Sequence, residues 1–427
     1  MRVVLAGGLV ARTARGPVES TDLVVDGERV GSDARGAQRV DVSGCLVVPG
    51  HVCAHHHLYS ALARGMPGPG RAPRSFVEIL ELVWWRLDRA LDLDTIRLSA
   101  LLGATEAARC GTTAIVDHHA SPNAIGSSLD AVADGIAEAG VRGVVCYEVS
   151  DRHGEASGRR GVEENVRFVH DNRRALVRGM MGAHASFTIG ERTLDHLVEE
   201  ARRARIPVHV HVAEDGFDER HSLDHYGVRT AARLRRAGAL DHGDLAAHGV
   251  CLDDDEIALV RSSGAWVAHN PRSNMNNGVG YAPVAALGER VVLGTDGLDG
   301  DMFTEARAAF LKARDARVGS DPGRALGWLA AGAGLVGSVF GLASLGRLEP
   351  GAPADLAVLE YLAPTPLEHG NLAGHYLFGL GAGAVRDVMV GGRWIVRERR
   401  HQLVDEDELA AGCRAAAPRL WDRMRDL

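Results

Sequence analysis

Four histidines fall within seven positions of PGHVCAHHHLYSALARGM, residues 49–66: His51, His55, His56 and His57. Imidazole ligates metals and exchanges protons near neutral pH, so the first question is which of the four share a site. The apolar residues around them read as a strand. Side chains alternate along a strand, which puts positions 51, 53, 55 and 57 on one face and His56 on the other. His51 begins the strand, about 13 Å before His55 at ~3.3 Å per residue. His55 and His57 therefore make a His-x-His pair able to hold one metal. His51 and His56 read as hydrogen-bonded structural residues.

A metal needs further donors, and later segments offer them. Short apolar runs alternate with Ala-, Arg-, Glu- and Leu-rich helical stretches. The runs are LVVPGHVCAHHH, TTAIVDHH, RGVVCYEV, RGMMGAHAS, IPVHVHVAE, DLAAHGV, AWVAHN and RVVLGTDG. Their polar tips include His55 and His57, His118, His184, His211, His248, His269 and Asp296. Eight strands alternating with helices predict an α/β fold, a (β/α)8 TIM barrel, whose active site lies at the C-terminal ends of the strands. A doubly wound sheet is the alternative, but no Gly-rich dinucleotide fingerprint follows the first strand. His211 lies nearer the rim than His209 and reads as the third ligand; Asp296 reads as the fourth. Taken alone, His211 would pass for a structural residue and Asp296 for a helix cap. Together, three imidazoles and a carboxylate suit one divalent metal, Zn²⁺ first, with Fe²⁺ or Mn²⁺ as alternatives.

The elements that must position this set have flanks of another texture. Residues 1–48 and 346–404 carry short apolar runs and Gly-bearing turns, such as RVVLAGGLVA and VRDVMVGGRWIVRERR. They predict a small composite β-sandwich built from both ends of the chain. Residues 49–345 form the barrel, and 405–427 read as a C-terminal helix. The 427 residues carry a net charge of −8, which argues against a nucleic-acid partner. No run of ~18 apolar residues predicts a membrane span. The N-terminus lacks the pattern of a signal peptide. Six scattered cysteines without a C-x-x-C spacing fit a reducing cytoplasm.

Candidate substrate contacts follow the strand tips. RSFVEILELVWWRLDRALD reads as a helical insertion over the barrel mouth, where Trp84, Trp85 and Arg86 could stack on and hydrogen-bond a flat ring. Packing of the insertion onto the barrel is the plainer use of each tryptophan. Arg64 is a second candidate for a carbonyl or carboxylate, and His118 could face the substrate. NPRSNMNN, with Ser273, Asn274 and Asn276, reads either as a hydrogen-bonded turn or as a ligand contact.

These stretches resemble the amidohydrolase superfamily, in the ATZ/TRZ-type aminohydrolase branch that includes guanine deaminase, S-adenosylhomocysteine-type deaminases and triazine chlorohydrolases. Within it the chain is similar to the SsnA-like aminohydrolases, through PGHVCAHHHLYSALARGM, WWRLDRALD, DHHASP, HVAED, AHNPRSNMNNGVGY, LGTDG and AGHYLFGLGAG. The resemblance runs nearly end to end. It implies that His55, His57, His211 and Asp296 hold the metal, that Glu214 shuttles protons, that His248 stabilises the activated water, and that His184 touches the substrate. Homo-oligomers are common in the family, so a homo-oligomer, a dimer foremost, is expected.

The single lysine decides one point. Several amidohydrolases bridge two metals with a carbamylated lysine from the fourth strand. Here that strand, RGMMGAHAS, has none, and Lys312 follows the eighth strand. The mononuclear branch is therefore favoured, whose typical chemistry is deamination. The implied reaction is hydrolytic deamination of a small nitrogen heterocycle, purine- or pyrimidine-like, or a cyclic amidine. Glu214 would protonate a ring nitrogen, activated water would attack the carbon, and Asp296 would relay a proton to departing ammonia. Expelling ammonia needs proton delivery, whereas expelling chloride does not, so Glu214 favours an aminohydrolase over a dechlorinase. A formimino or guanidino deiminase, a ring C–N hydrolase without ammonia release, and a catalytically silent scaffold are the alternatives.

Overall fold

The computed structural model describes residues 2–368 and 370–427. Eight parallel strands form the barrel: β1 (His51–His56), β2 (Thr112–His119), β3 (Arg142–Val149), β4 (Met181–Ala185), β5 (Val208–Val212), β6 (Leu245–His248), β7 (Trp266–His269) and β8 (Val291–Leu293). They pair in chain order from β1 to β8. The last seam, from β8 back to β1, is short. It consists of a bridge between His56 and Asp296, with Thr295 N–H and Asp296 N–H both donating to His55 O, at 2.8 and 3.0 Å. His57 N–H returns a bond to Asp296 O at 3.0 Å.

Helices between the strands seal the barrel. Val52, Ala114, Val144, Leu245, Ala268 and Val292 pack as one buried cluster with Ala333, Leu335 and Val336 of the helix Pro322–Phe340. That helix is long and apolar enough to cross a membrane, yet half of it is buried against the barrel. Its apolarity serves the core, where stabilisation scales with area removed from water. Side-chain caps start the helices where the sequence offers them. Asp92 and Thr95 form a capping box ahead of Leu93–Arg109, and Asp301 caps Met302–Asp315.

Both ends of the chain build the remaining layers. A four-stranded sheet comes entirely from the first 41 residues. A seven-stranded sheet interleaves the ends: Cys45–Pro49 pairs in parallel with Leu9–Ala11 and antiparallel with Leu356–Glu360. Val3, Leu5, Val25 and Val47 meet Leu356, Val358 and Met389 in one core between them. Arg142 of β3 ties the barrel to this unit through a buried two-bond contact with Asp355, at 2.6 and 2.9 Å. The C-terminal helix, Glu406–Arg425, sends Trp421 Nε1–H to Leu62 O and Arg423 Nε–H to Ala90 O. It thereby pins both ends of the insertion that follows β1.

Strict alternation does not carry through β1. Its pairing with β2 slips between Cys53 and His56, a β-bulge of the kind found beside active sites. His51 stays at the far end of the strand, buried, with Nε2 3.1 Å from Tyr376 Oη and its ring edge-on to Phe303. Burial pulls its pKa down to about 4. The unfolded chain binds this proton near 6.5, so the contribution of neutral His51 to stability is full above 6.5 and is lost as pH falls toward 4. Within that window it amounts to about 1.4 kcal/mol per pH unit. Urea unfolding of His51→Gln against pH is expected to show a shallower acid limb than wild type. An unchanged limb would contradict the assignment.

Candidate metal centre and active site

The imidazoles of β1 and β5 meet the carboxylate that follows β8. His57 Nε2 lies 3.0 Å from Asp296 Oδ1 and 3.2 Å from His211 Nε2. His55 Nε2 lies 3.7 Å from the same Asp296 oxygen. His57 Nδ1–H donates to His118 O at 2.5 Å, and His211 Nδ1–H donates to His184 O at 2.9 Å. Each bond fixes the ring and turns Nε2 toward the centre, the usual support for a metal-binding histidine. His55 is braced from below by His209, ring nitrogen to ring nitrogen at 2.9 Å.

Two observations fit this group to a cation. His55 Nε2 and His248 Nε2 are buried without a hydrogen-bond partner, and both belong to a donor group with His211 and Asp296. Buried polar atoms rarely stay unpaired without a reason. Burial also drives the pKa of His55 and His211 well below the ordinary value, keeping both neutral as ligands must be. His57 is the exception. Burial lowers it, but its contact with Asp296 outweighs this and lifts it to about 9. The proton so held lies between two groups that a divalent ion would neutralise instead.

A second donor group, His57, His118, Glu148 and His211, shares His211 with the first, and its His57 lies 3.0 Å from Asp296 of the first. The Nδ1 atoms of His57 and His211 are already spent on carbonyls, so each has a single lone pair to give. The two groups therefore compete, and the centre has donors for one ion. Lys312 is remote from it, on the helix Met302–Asp315, paired with Asp315 at 2.6 Å.

One short helix, Pro271–Asn277, holds Asp296, His248 and Glu214 through three side chains. Ser273 Oγ–H donates to Asp296 Oδ2, Asn274 Oδ1 accepts from His248 Nδ1–H at 2.9 Å, and Asn277 Nδ2–H donates to Glu214 Oε1 at 3.3 Å. Asn274 was expected at the substrate; it is buried behind His248 and positions it. With its proton fixed on Nδ1, His248 points Nε2 between Glu214 Oε2 at 3.5 Å and Asp296 Oδ2 at 3.8 Å. Burial raises the Glu214 carboxyl to about 7, a value suited to moving protons near neutrality. Burial also acts on Asp296, but the neighbouring imidazoles of His55, His57 and His248 outweigh it and hold the carboxyl well below its usual range.

Backbone strain marks the same places. Ala213, His248 and Asp296 lie in the left-handed region, at φ of 49°, 76° and 56°. Such residues are uncommon outside glycine and cluster at active sites. They turn the chain at the tips of β5, β6 and β8 so that the last polar side chains face inward.

Above the centre is a cavity that opens to solvent at its mouth. His57, His184, His211, Glu214 and Asp296 line it together with Trp84 and Trp85 of the insertion. A π-helical turn, Leu80–Trp84, interrupts that insertion and delivers the two indoles. His184 Nδ1 lies 2.7 Å from Thr188 Oγ1, and burial keeps the ring neutral, near a pKa of about 3. Three expected contacts are not brought to the cavity. Arg64 forms a double ion pair with Glu106, at 2.7 and 2.8 Å, and is exposed. Arg86 is half-buried and off the cavity wall. His118 is fully buried, between Glu148 Oε2 at 3.1 Å and His209 O at 3.2 Å. His269, at the tip of β7, packs beside Tyr281 and Trp328 instead.

The structure adds residues that sequence reasoning missed. Glu148, at the tip of β3, and Asp88 are buried acids on the cavity wall. Arg152 joins them, 2.9 Å from Asp88 Oδ2 and stacked 4.7 Å from the Trp85 ring centroid. The missed signal was the charge in CYEV, a glutamate ending an otherwise apolar strand.

This arrangement agrees with the comparisons. The sequence profile of the Amidohydrolase family matches residues 46–395, and the chain belongs to that family. It is 31% identical to a 5-methylthioadenosine/S-adenosylhomocysteine deaminase of Haloarcula marismortui, over 99% of both chains. It is 31% identical to a 5'-deoxyadenosine deaminase of Methanoregula boonei, over 96% of this chain and 93% of that one. Among solved structures, the fold is similar to a zinc-bound adenosine deaminase from Xanthomonas campestris. That match has a TM-score of 0.84 at 23% identity, covering 100% of this chain and 99% of the other.

The seam between β1 and β8 leaves no room at Gly294. An added Cβ there would lie 2.8 Å from His55 N and 2.5 Å from Asn270 Oδ1. Gly294→Ala is expected to spread the seam, at a cost of about 1–3 kcal/mol. Metal content after zinc reconstitution should fall well below that of wild type. Full metal content at unchanged thermal stability would show that the seam does not constrain the site.

Proposed function

We propose that the chain is a metal-dependent aminohydrolase. Its reaction would be hydrolytic deamination of a small nitrogen heterocycle, purine- or pyrimidine-like, or a cyclic amidine, with release of ammonia. The observation that carries this reading is a half-buried Glu214 paired with His248 beside Asp296, where the imidazoles of His55, His57 and His211 gather. The names of the relatives support deamination of a ring amine. His55, His57, His211 and Asp296 would hold the ion. Zinc is favoured by that donor set and by the zinc in the Xanthomonas relative. When bound, such an ion polarises a water molecule and lowers its pKa toward neutrality.

The side chains supply the rest. Glu214 takes a proton from the water and places it on a ring nitrogen, which makes the adjoining carbon electrophilic. His248, taking a second proton at Nε2 while Asn274 holds the one on Nδ1, would donate to the oxygen that gains charge, a preorganised contribution. Asp296 accepts the second water proton and passes it to the amine. The C–N bond breaks, ammonia leaves, and the ring keeps a carbonyl. Trp84 and Trp85 offer flat apolar faces to the ring, and His184 offers a neutral imidazole.

The SsnA-like aminohydrolases are the proposed home within the family, on PGHVCAHHHLYSALARGM and AGHYLFGLGAG. Six free cysteines support a reducing cytoplasm. Exposed Leu362 and Phe378 support a homo-oligomer, a dimer first.

Glu214→Gln is expected to lower ammonia release about 10²–10⁴-fold, with metal content unchanged, in a screen of purines, pyrimidines, pterins and triazines. Near-normal turnover in the variant would overturn the role of Glu214. Absence of ammonia from every ring in the screen would overturn the deaminase reading.

A further inference from the structure

Glu148 has no part in the mechanism above, yet it stands at the reacting end of the cavity. It ends β3, is 5% exposed, and lines the wall. Its donor oxygen lies within 4.8 Å of the ligating nitrogens of His57 and His211. Oε2 is engaged by His118 at 3.1 Å. Oε1 accepts no hydrogen bond among the described residues; its neighbours are His184 Nε2 at 3.5 Å and Arg152 Nη2 at 3.6 Å. Around it, Asp88 Oδ1, Arg152 Nη1 and Trp85 Nε1 are also buried without partners. Two carboxylates, Asp88 and Glu148, share the guanidinium of Arg152 here. Glu148 Oε1 faces the cavity and is free to accept a hydrogen bond from a bound molecule.

The shape of that demand points to the substrate. Glu148 Oε1 can accept an N–H, while Arg152 Nη1 and Trp85 Nε1 have N–H groups to offer an acceptor, so the wall suits a ring edge with an N–H beside a carbonyl. An adenine-type ring presents only lone pairs at its ring nitrogens beside the amine, and these would face the carboxylate. An amino-oxo ring presents a lactam N–H next to the carbon that bears the amine.

We propose that Glu148 anchors the substrate through such an N–H. It would select amino-oxo heterocycles of the guanine or pterin kind over the aminopurine nucleosides for which the relatives are named. Arg152, held by Asp88 and stacked on Trp85, positions the carboxylate. The reaction rests on the deaminase reading; the contact does not. Glu148 Oε1 accepts the ring N–H, and Oε2 stays with His118.

The test uses the zinc-reconstituted full chain. Ammonia release is measured for guanine, pterin, their derivatives methylated at the lactam nitrogen, and adenosine, in wild type and Glu148→Gln. Binding of xanthine, which keeps the lactam N–H but has no amine to lose, is measured by calorimetry. Wild type is expected to prefer the N–H ring over its methylated derivative and over adenosine by about 100-fold in kcat/KM. Glu148→Gln is expected to collapse that preference below 10-fold and to weaken xanthine binding, with metal content unchanged. The methylated derivatives test the contact in wild type even if the variant fails to fold. Ammonia released from adenosine in preference to the lactam rings, or an unaltered preference in Glu148→Gln, would overturn the proposal and leave the deaminase reading standing. Xanthine binding that depends on Glu148, without ammonia from any ring, would uphold the contact and sink the deaminase reading. Neither ammonia nor Glu148-dependent binding would overturn both.

Discussion

The bonds that close the barrel are made by the residues that carry the metal donors. His55 O accepts from Thr295 and Asp296, and His57 N–H donates to Asp296 O. A metal set drawn from the first and last strands exists only while this seam is shut. Its closure in turn requires Gly294, where no side chain fits. Fold and site are thus one constraint. The two edges that the barrel must join meet where the joining also brings His57 to within 3.0 Å of Asp296.

Around the seam, the structure concentrates polar groups that would be costly to bury singly. Desolvating an unpaired charge is expensive, and removing one partner of a buried pair strands the other. The arrangement limits that cost by sharing. Each ligand histidine spends its second nitrogen on a carbonyl or another ring. Ser273, Asn274 and Asn277, on one helix of seven residues, support Asp296, His248 and Glu214 in turn. Arg272 anchors that helix through the buried Glu305 and through Asp299. Three residues in the left-handed region are held by this network. The strain is local, and it aims the acid–base groups at one point.

Much of this was legible in the sequence. Apolar runs ending in His or Asp, separated by helical stretches, are enough for the barrel, because few folds repeat that alternation eight times. The His-x-His pair and the tips of β5 and β8 followed from position along a strand, although the bulge after Cys53 breaks the alternation on which the face assignment relied. What escaped was set by contacts distant in sequence. Arg64 is drawn to Glu106, 42 residues on, and leaves the cavity. Asn274 lies one residue from Ser273, yet helical geometry gives the two different partners. Glu148 was invisible because attention fell on histidines, while the tip of β3 ends in an acid whose neighbours, Arg152, Asp88 and His184, come from three other segments.

This centre is built for a single ion, because His211 has one free lone pair and both donor groups need it. The most direct measurement is elemental analysis of the full chain after zinc reconstitution and removal of loosely bound metal, paired with X-ray absorption at the zinc edge. One zinc per chain, with imidazole ligands and a carboxylate and no zinc–zinc scattering, is the expected result. Two zinc ions per chain with a short metal–metal distance, or no retained zinc, would contradict it.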